Sequence, residues 1–490
     1  MKKILLASLL LMLSLTLFAC GEENEKEPKE DSIRDLHIYY LNDLHGALLE
    51  GDREMGISKI GNFLIDEKEA MPERTLILGG GDMVQGTLIS NAFYGESTTH
   101  LMDKVGFDAT VIGNHEFDWG LDMVTRYYDG TEGVYQAKHP MLGANVFYKG
   151  TTDIPNGIEP YTIIERGGHN IGIIGTMGEG LESSILAPMV EDYEFADPVP
   201  IIEEISTYLR SEKDVNIVIV ISHDSGSRLN YGLALLEEEA KVDAIFNGHS
   251  HQTNTGTYGG IPAMISGANG SHIGHMHLVI EDGEVIDHNM NNMTQSSDYR
   301  LQEKHPDVEA LLEEYLLEVE HLYNPILDAE TGISRNDLTF WMSTLMAKAT
   351  GADVGIQNSG GTRDYFTEGE AVSIARLYDV FPFDNTVVTA EVKGDILLNL
   401  INHNSQYFST VDTIDPDETY TLATNNYVFL RDGNNLEDSS NIIFHEIDMF
   451  YLAVEELLRQ AEIYDHFNVN RDILIPYYDE WYDESYDLFD

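Results

Sequence analysis

The stretch "GNHEFD" sets an amide, an imidazole and two carboxylates side by side at the end of an apolar run. Asp118 stands three residues after His115 and can orient its ring, an arrangement suited to moving a proton or steadying developing charge. Four more polar clusters share this character. In "NDLHG", Asp43 and His45 flank one residue, so in an extended chain their side chains point the same way and can hold one cation. Asp82 follows three glycines in "LGGGDMVQG", where small residues let the backbone come close to an ion and a carboxylate can bridge two of them. His223 in "SHDSG" and His249 and His251 in "GHSH" add three imidazoles. Taken singly, each cluster also reads as a polar turn, Asp82 as a helix-capping aspartate. Taken together, Asp43, His45, Asp82, Asn114, His223, His249 and His251 form a mixed nitrogen and oxygen set that suits two first-row divalent ions such as zinc or manganese. Paired metals of that kind serve in-line displacement at phosphorus.

Such a set needs strands to position it. The runs 36–41, 75–78, 109–112, 215–221 and 242–246 are short, aliphatic and continuous rather than alternating, as strands buried on both faces are. Every polar cluster follows one of these runs, and the carboxyl ends of strands are where α/β sheets assemble ligand sites. Residues 34–300 therefore read as a layered α/β domain. Val308, Leu311, Leu312, Tyr315, Leu316, Val319 and Leu322 then recur at helical spacing between Pro306 and Asn324-Pro325, giving a connecting helix within 301–327. Mixed helices, strands and glycine turns over 328–490 make a second, α+β domain. "GSHIGHMHL" places His275 and His277 on one face of a predicted strand, with His272 nearby, and looks like a metal site, although the resemblance set out below implies a structural strand here.

Length and composition agree with two globular domains. The 85 Asp and Glu against 28 Lys and Arg leave a net charge of −57, which excludes a nucleic-acid polymer as partner. So acidic a surface suits salt that screens its self-repulsion. Residues 1–20, "MKKILLASLLLMLSLTLFAC", carry two lysines and a short apolar run, the pattern of a secretory signal. The ending "LFAC" resembles a bacterial lipobox, which makes Cys20, the single cysteine, a lipidation site. Residues 21–33 form a charged tether expected to be disordered. The expectation is an extracytoplasmic lipoprotein held at a membrane through Cys20.

In their order, "NDLHG", "GGGDMVQG", "GNHEFD", "SHDSG" and "GHSH" resemble the metal motifs of calcineurin-like metallophosphoesterases. "GADVGIQNSGGTRDYFTEGE" with "VFPFDN" resembles the C-terminal domain of bacterial 5′-nucleotidases and UDP-sugar hydrolases. The resemblance covers about residues 35–435 and implies an α/β/β/α sandwich followed by a substrate-binding domain. It implies that Asp43, His45 and His251 serve one ion and Asn114, His223 and His249 the other, with Asp82 between. It further implies that His115, oriented by Asp118, stabilises the reacting phosphoryl group, and that water acidified by the cations attacks. Arg363 would contact the substrate phosphate, and Phe383 and Tyr427 would hold the base by stacking, with Asn358 and Asp432 beside them. The implied reaction is release of phosphate from nucleoside 5′-monophosphates, extending to UDP-sugars or cyclic nucleotides. The alternatives are a lipoprotein that captures nucleotides without hydrolysis and a sulfur-ester hydrolase on the same scaffold. Two departures concern the substrate. The last motif reads "LRDGN" where the family has Gly-Gly-Asp-Gly-Tyr, and Phe340-Trp341 replace a polar or basic residue followed by an aliphatic one.

Overall fold

The computed structural model describes residues 35–402 and 405–482. The leader, Cys20 and the tether lie outside the described residues. Among those described, no helix is long and apolar enough to cross a membrane.

Alternation within the strands decides the layering. In β1 (Asp35–Leu41), Leu36, Ile38 and Tyr40 enter a core shared with a second sheet, while Tyr39 and Leu41 face the other way, toward helices. β1 pairs in parallel with β2 (Thr75–Gly79), and β2 with β3 (Ala109–Val111). In the second sheet β4 (Ile217–His223) pairs in parallel with β5 (Ala244–Asn247). Ile217, Ile219 and Ile221 meet the first sheet, whereas Val218 and Val220 pack with Ile202 and Leu209 of the helix Pro198–Glu212. β6 (Ile273–Glu281) flanks β1 antiparallel and completes, with three further strands, a seven-stranded sheet. The six-stranded partner sheet lies against it, and helices cover both outer faces, giving the α/β/β/α sandwich. Each fully buried Leu or Ile in this double layer stabilises it by about 1.5–3 kcal/mol.

β4 begins and ends two residues later than the run of aliphatic residues suggests. Val215 instead packs beneath the helix, its N–H bonded to Leu209 O, while pairing with the neighbouring strand continues to His223 opposite Met177. The imidazole thus sits at the end of a regular strand, still paired to its neighbour on one side.

The helix Pro306–Val319 buries Val308, Leu312 and Val319 in the same apolar cluster as Phe63, Leu64, Leu101 and Val105. It is a layer of the first domain as well as its link to the second. There, the helix Arg335–Thr350 opens on a Ser334–Asp337 capping box and closes on left-handed Gly351. A five-stranded sheet accompanies it, in the order Ser405–Ser409, Val354–Asn358, Thr419–Asn425, Thr386–Lys393, Ser440–Asp448. Trp341 is a core residue whose ring lies against Phe381 and Phe467, whereas Phe340 faces solvent. The two domains meet where Gln85 Nε2 donates to Pro382 O at 2.6 Å and Asn91 Nδ2 donates to Tyr378 OH and Pro382 O, each at 3.1 Å.

Candidate active site

The loops leaving β1, β2, β3 and β5, together with the end of β4, converge at the carboxyl edge of the sandwich. Asp43 (φ 51°), His45 (φ 51°), Asp82 (φ 51°), His249 (φ 69°) and His251 (φ 56°) all adopt left-handed backbone. Without the help of glycine this costs roughly 1–2 kcal/mol per residue. Such strain concentrated on one set of polar residues marks a site where side-chain direction matters more than stability. Glycines admit the close approach: a Cβ on Gly113 would stand 2.3 Å from both Asp82 N and Asp82 Oδ1.

Two groups of donors result, Asp43 with His45 and His251, and Asp82 with His223 and His249. In the first, His251 Nε2 lies 3.0 Å from His45 Nε2 and 3.4 Å from Asp43 Oδ1. In the second, His223 Nε2 lies 3.0 Å from Asp82 Oδ2, and Asn114 Oδ1 approaches His223 Nε2 at 3.2 Å and His249 Nδ1 at 3.0 Å. Backbone carbonyls fix the rings. His45 Nδ1 donates to Gln85 O and His223 Nδ1 to Gly80 O, both at 2.8 Å, so each turns Nε2 to the centre. Buried carboxylates and imidazole nitrogens facing one another this closely fit cations, which would satisfy all of them at once.

The electrostatics agree. Burial, with Arg363 nearby, holds His45 well below the ordinary imidazole range and His251 down at about 4, leaving both neutral and ready to bind metal. Burial also depresses His249. It works against charge on His223 too, but the Asp82 carboxylate outweighs it and lifts His223 to about 10. There a proton does the neutralising that a cation would do. Burial raises Asp43 to about 7 despite the opposing charge of His223.

Beside the two groups, His115 Nδ1 is bonded to Asp118 Oδ2 at 2.7 Å, and the His115 ring stands 5.3 Å from that of His45. Burial disfavours its charged form, yet Asp118 and Asp82 together raise its pKa above the usual value. Its backbone N–H donates to Asp82 Oδ1 at 2.8 Å, tying the ring's position to the carboxylate of the second group.

The second domain reaches the same place. Arg363 Nη2 stands 3.3 Å from His45 Nε2, and its guanidinium lies 5.8 Å from the Phe383 ring centre. Phe383 is 5.5 Å from His115, ring to ring. Tyr427 donates its hydroxyl to Ser183 O of the first domain at 3.3 Å. Asn358 is one step removed: its Oδ1 accepts from Asn425 Nδ2 at 2.9 Å, and Asn425 caps the short helix Asn426–Leu430 that carries Tyr427. Asp432 is exposed on the following turn, with no bond to the cluster among the described residues. The residues brought together are therefore Asp43, His45, Asp82, Asn114, His115, Asp118, His223, His249, His251, Arg363 and Phe383, with Tyr427 at the rim.

Glu116 carries a role that the motif alone does not reveal. Fully buried, it accepts from Gly113 N at 2.6 Å, Met83 N at 2.8 Å and Asp82 N at 3.0 Å. It clamps the loop after β2 to the loop after β3. Its position between His115 and the orienting Asp118 was the available signal.

Comparison with known proteins places this geometry. Residues 36–253 match the calcineurin-like phosphoesterase model and residues 326–413 the 5′-nucleotidase C-terminal domain model. The chain belongs to the calcineurin-like metallophosphoesterases that carry a 5′-nucleotidase C-terminal domain, a family that uses two divalent metal ions. It is 27% identical over 467 residues to endonuclease YhcR of Bacillus subtilis, covering 81% of this chain but 37% of that protein. It is 24% identical to a 5′-nucleotidase of Vibrio parahaemolyticus, covering 79% of this chain and 78% of the relative. The crystal structure of a 5′-nucleotidase precursor from Thermus thermophilus has the same fold, with a TM-score of 0.74 at 20% identity over 87% of this chain and 97% of that one. The chain spans 37%, 61% and 28% of the lengths of the first three curated relatives it matches.

Proposed function

We propose that the protein is a dimetal phosphohydrolase that releases phosphate from nucleoside 5′-monophosphates, acting outside the cytoplasm from a lipid anchor at Cys20. The observation that carries the reading is the meeting of Arg363 and Phe383 from one domain with His45 and His115 from the other. A nucleotide placed there has its phosphate beside the two groups of donors and its base toward the aromatic residues.

Asp43, His45 and His251 would hold one ion and Asn114, His223 and His249 the other, with Asp82 shared. When bound, the ions polarise the phosphoryl oxygens and acidify water. The chain's own residues do the rest. His115, its Nδ1 fixed by Asp118, presents Nε2 to the reacting phosphoryl group and carries a proton there, because the neighbouring carboxylates keep its pKa raised. The Arg363 guanidinium pairs with phosphate oxygens, a planar fork meeting a tetrahedral anion. Phe383 and Tyr427 offer faces to the base, and Asn358 steadies the helix behind Tyr427 through Asn425.

The test is phosphate release by the purified protein, reloaded with Mn²⁺ or Zn²⁺, from a panel of nucleoside monophosphates, a UDP-sugar, a cyclic nucleotide and a sulfate ester. Release from the monophosphates is expected. Turnover of the sulfate ester alone, or none of the panel with metals bound, would overturn the assignment.

A further inference from the structure

The outer face of the first sheet holds a second concentration of imidazoles. In the pairing of β1 with β6, His37 lies directly opposite His277, and His275 lies opposite Tyr39, diagonal to His37. All three rings project to one side, with His37 stacked on His277 at 4.5 Å and on His275 at 5.2 Å. The carboxylate of Asp35, two residues before His37 on the same face, reaches both partners: its Oδ2 is 3.6 Å from His37 Nε2 and 3.8 Å from His277 Nε2. We propose that Asp35 Oδ2, His37 Nε2 and His277 Nε2 form a further zinc-type metal site, separate from the phosphoesterase centre.

Three observations carry this. The first is distance. Bonds of about 2.0–2.2 Å from a tetrahedral zinc to nitrogen and oxygen set neighbouring donors about 3.4 Å apart. The 3.6 and 3.8 Å separations approach that, and because the His37 and His277 rings stand nearly parallel, 16° apart, binding would also turn a ring about χ2 to bring both Nε2 lone pairs onto the ion. The second is the state of the donors. His277 Nε2 is buried yet has no hydrogen-bond partner, a donor atom shielded from water and aimed at the carboxylate. Such an orphan costs free energy that a cation would recover. The third is the supporting arrangement, which resembles that around metal-bound histidines generally. His37 Nδ1 is bonded to His275 Nε2 at 3.0 Å, which fixes the ring and leaves Nε2 free, and Arg74 donates to Asp35 Oδ1 at 2.8 Å, which leaves Oδ2 for the ion.

Two imidazoles and one carboxylate, all partly exposed, leave a fourth position for water and, in tetrahedral geometry, suit Zn²⁺ or Co²⁺. The site cannot be an outlying part of the centre at Asp43. The extended strand from His37 to Leu41 alone spans roughly 13 Å before the turn that carries Asp43, and His37 projects from the helix-covered face of the sheet. A metal here would staple β1 to β6 near Asp35, where the described fold begins.

The experiment uses the purified protein in buffered micromolar zinc and reads bound metal by atomic emission after gel filtration. Native protein is expected to hold one equivalent more than His277→Ala and one more than Asp35→Asn, with both variants keeping the two equivalents of the phosphoesterase centre. Asp35→Asn preserves size on a partly exposed side chain, so it reports even if His277→Ala fails to fold. In parallel, zinc should protect His37 and His277 of the native protein from acylation by diethyl pyrocarbonate, read peptide by peptide. Equal stoichiometry in native protein and Asp35→Asn, or unprotected His37 and His277 in saturating zinc, would overturn the site.

Discussion

At the scale of single residues, His115 and Asp118 separate binding from chemistry. His115 belongs to neither group of donors, so His115→Ala should retain both metals while turnover falls about 10²–10⁴-fold. Metal analysis beside a phosphate-release assay checks both halves, and unchanged turnover would remove His115 from the mechanism. Asp118 gives a pH signature. The Asp118 and Asp82 charges raise the pKa of His115, so the protonated form persists above the ordinary imidazole range and is lost as pH rises through the raised value. In Asp118→Asn one of those charges is gone, and the basic limb of the kcat profile should move to lower pH. A limb that stays put would mean that another group sets it. For Phe383, loss of a stacking face worth about 1–3 kcal/mol predicts that Phe383→Ala raises KM for nucleotides by about 5- to 150-fold. KM for a base-free phosphate ester should hardly change.

At the scale of elements, Glu116 shows why a motif is more than its ligands. Its carboxylate accepts from four backbone N–H groups on two loops, those of Asp82, Met83, Val84 and Gly113, all buried. Glu116→Ala would orphan those donors, at about 1–3 kcal/mol each. The variant should therefore melt several degrees lower and bind metal more weakly at the Asp82 group, by calorimetry and metal titration. Normal melting and normal metal affinity would show that the loops hold themselves. This element scale also marks how far the sequence could be read. Continuous aliphatic runs located the five strands that the polar clusters follow, and those clusters named the residues that the structure brings together, because a strand buried on both faces and a packed polar site both tolerate few residue types. What could not be read were relations set by distant backbone: the later register of β4, the carbonyls of Gln85 and Gly80 that aim His45 and His223, and the packing of the helix Pro306–Val319 onto the first domain. Nor could the sequence join Asp35 and His37 to His275 and His277, because His37 and His277 are 240 residues apart and meet only through the pairing of β1 with β6.

At the scale of the whole molecule, a chain with 85 acidic side chains and a net charge of −57 must bring an anion to its site. The field of a −57 protein repels a nucleotide at long range, while the metals and Arg363 attract it only within a few ångströms. Salt acts unequally on the two. Its Debye length is about 10 Å at 0.1 M and about 3 Å at 1 M, so the long-range repulsion between exposed charges is screened well before the contacts inside the site. Raising the salt should therefore raise kcat/KM for nucleoside monophosphates, chiefly through faster association, while kcat changes little. A neutral phosphate triester of similar size should show no such gain and serves as the control for general salt effects on folding. Stopped-flow or steady-state measurements across that range decide the matter. If kcat/KM falls steadily with salt, the local positive charge of the site governs capture, and the acidic surface has no part in the kinetics.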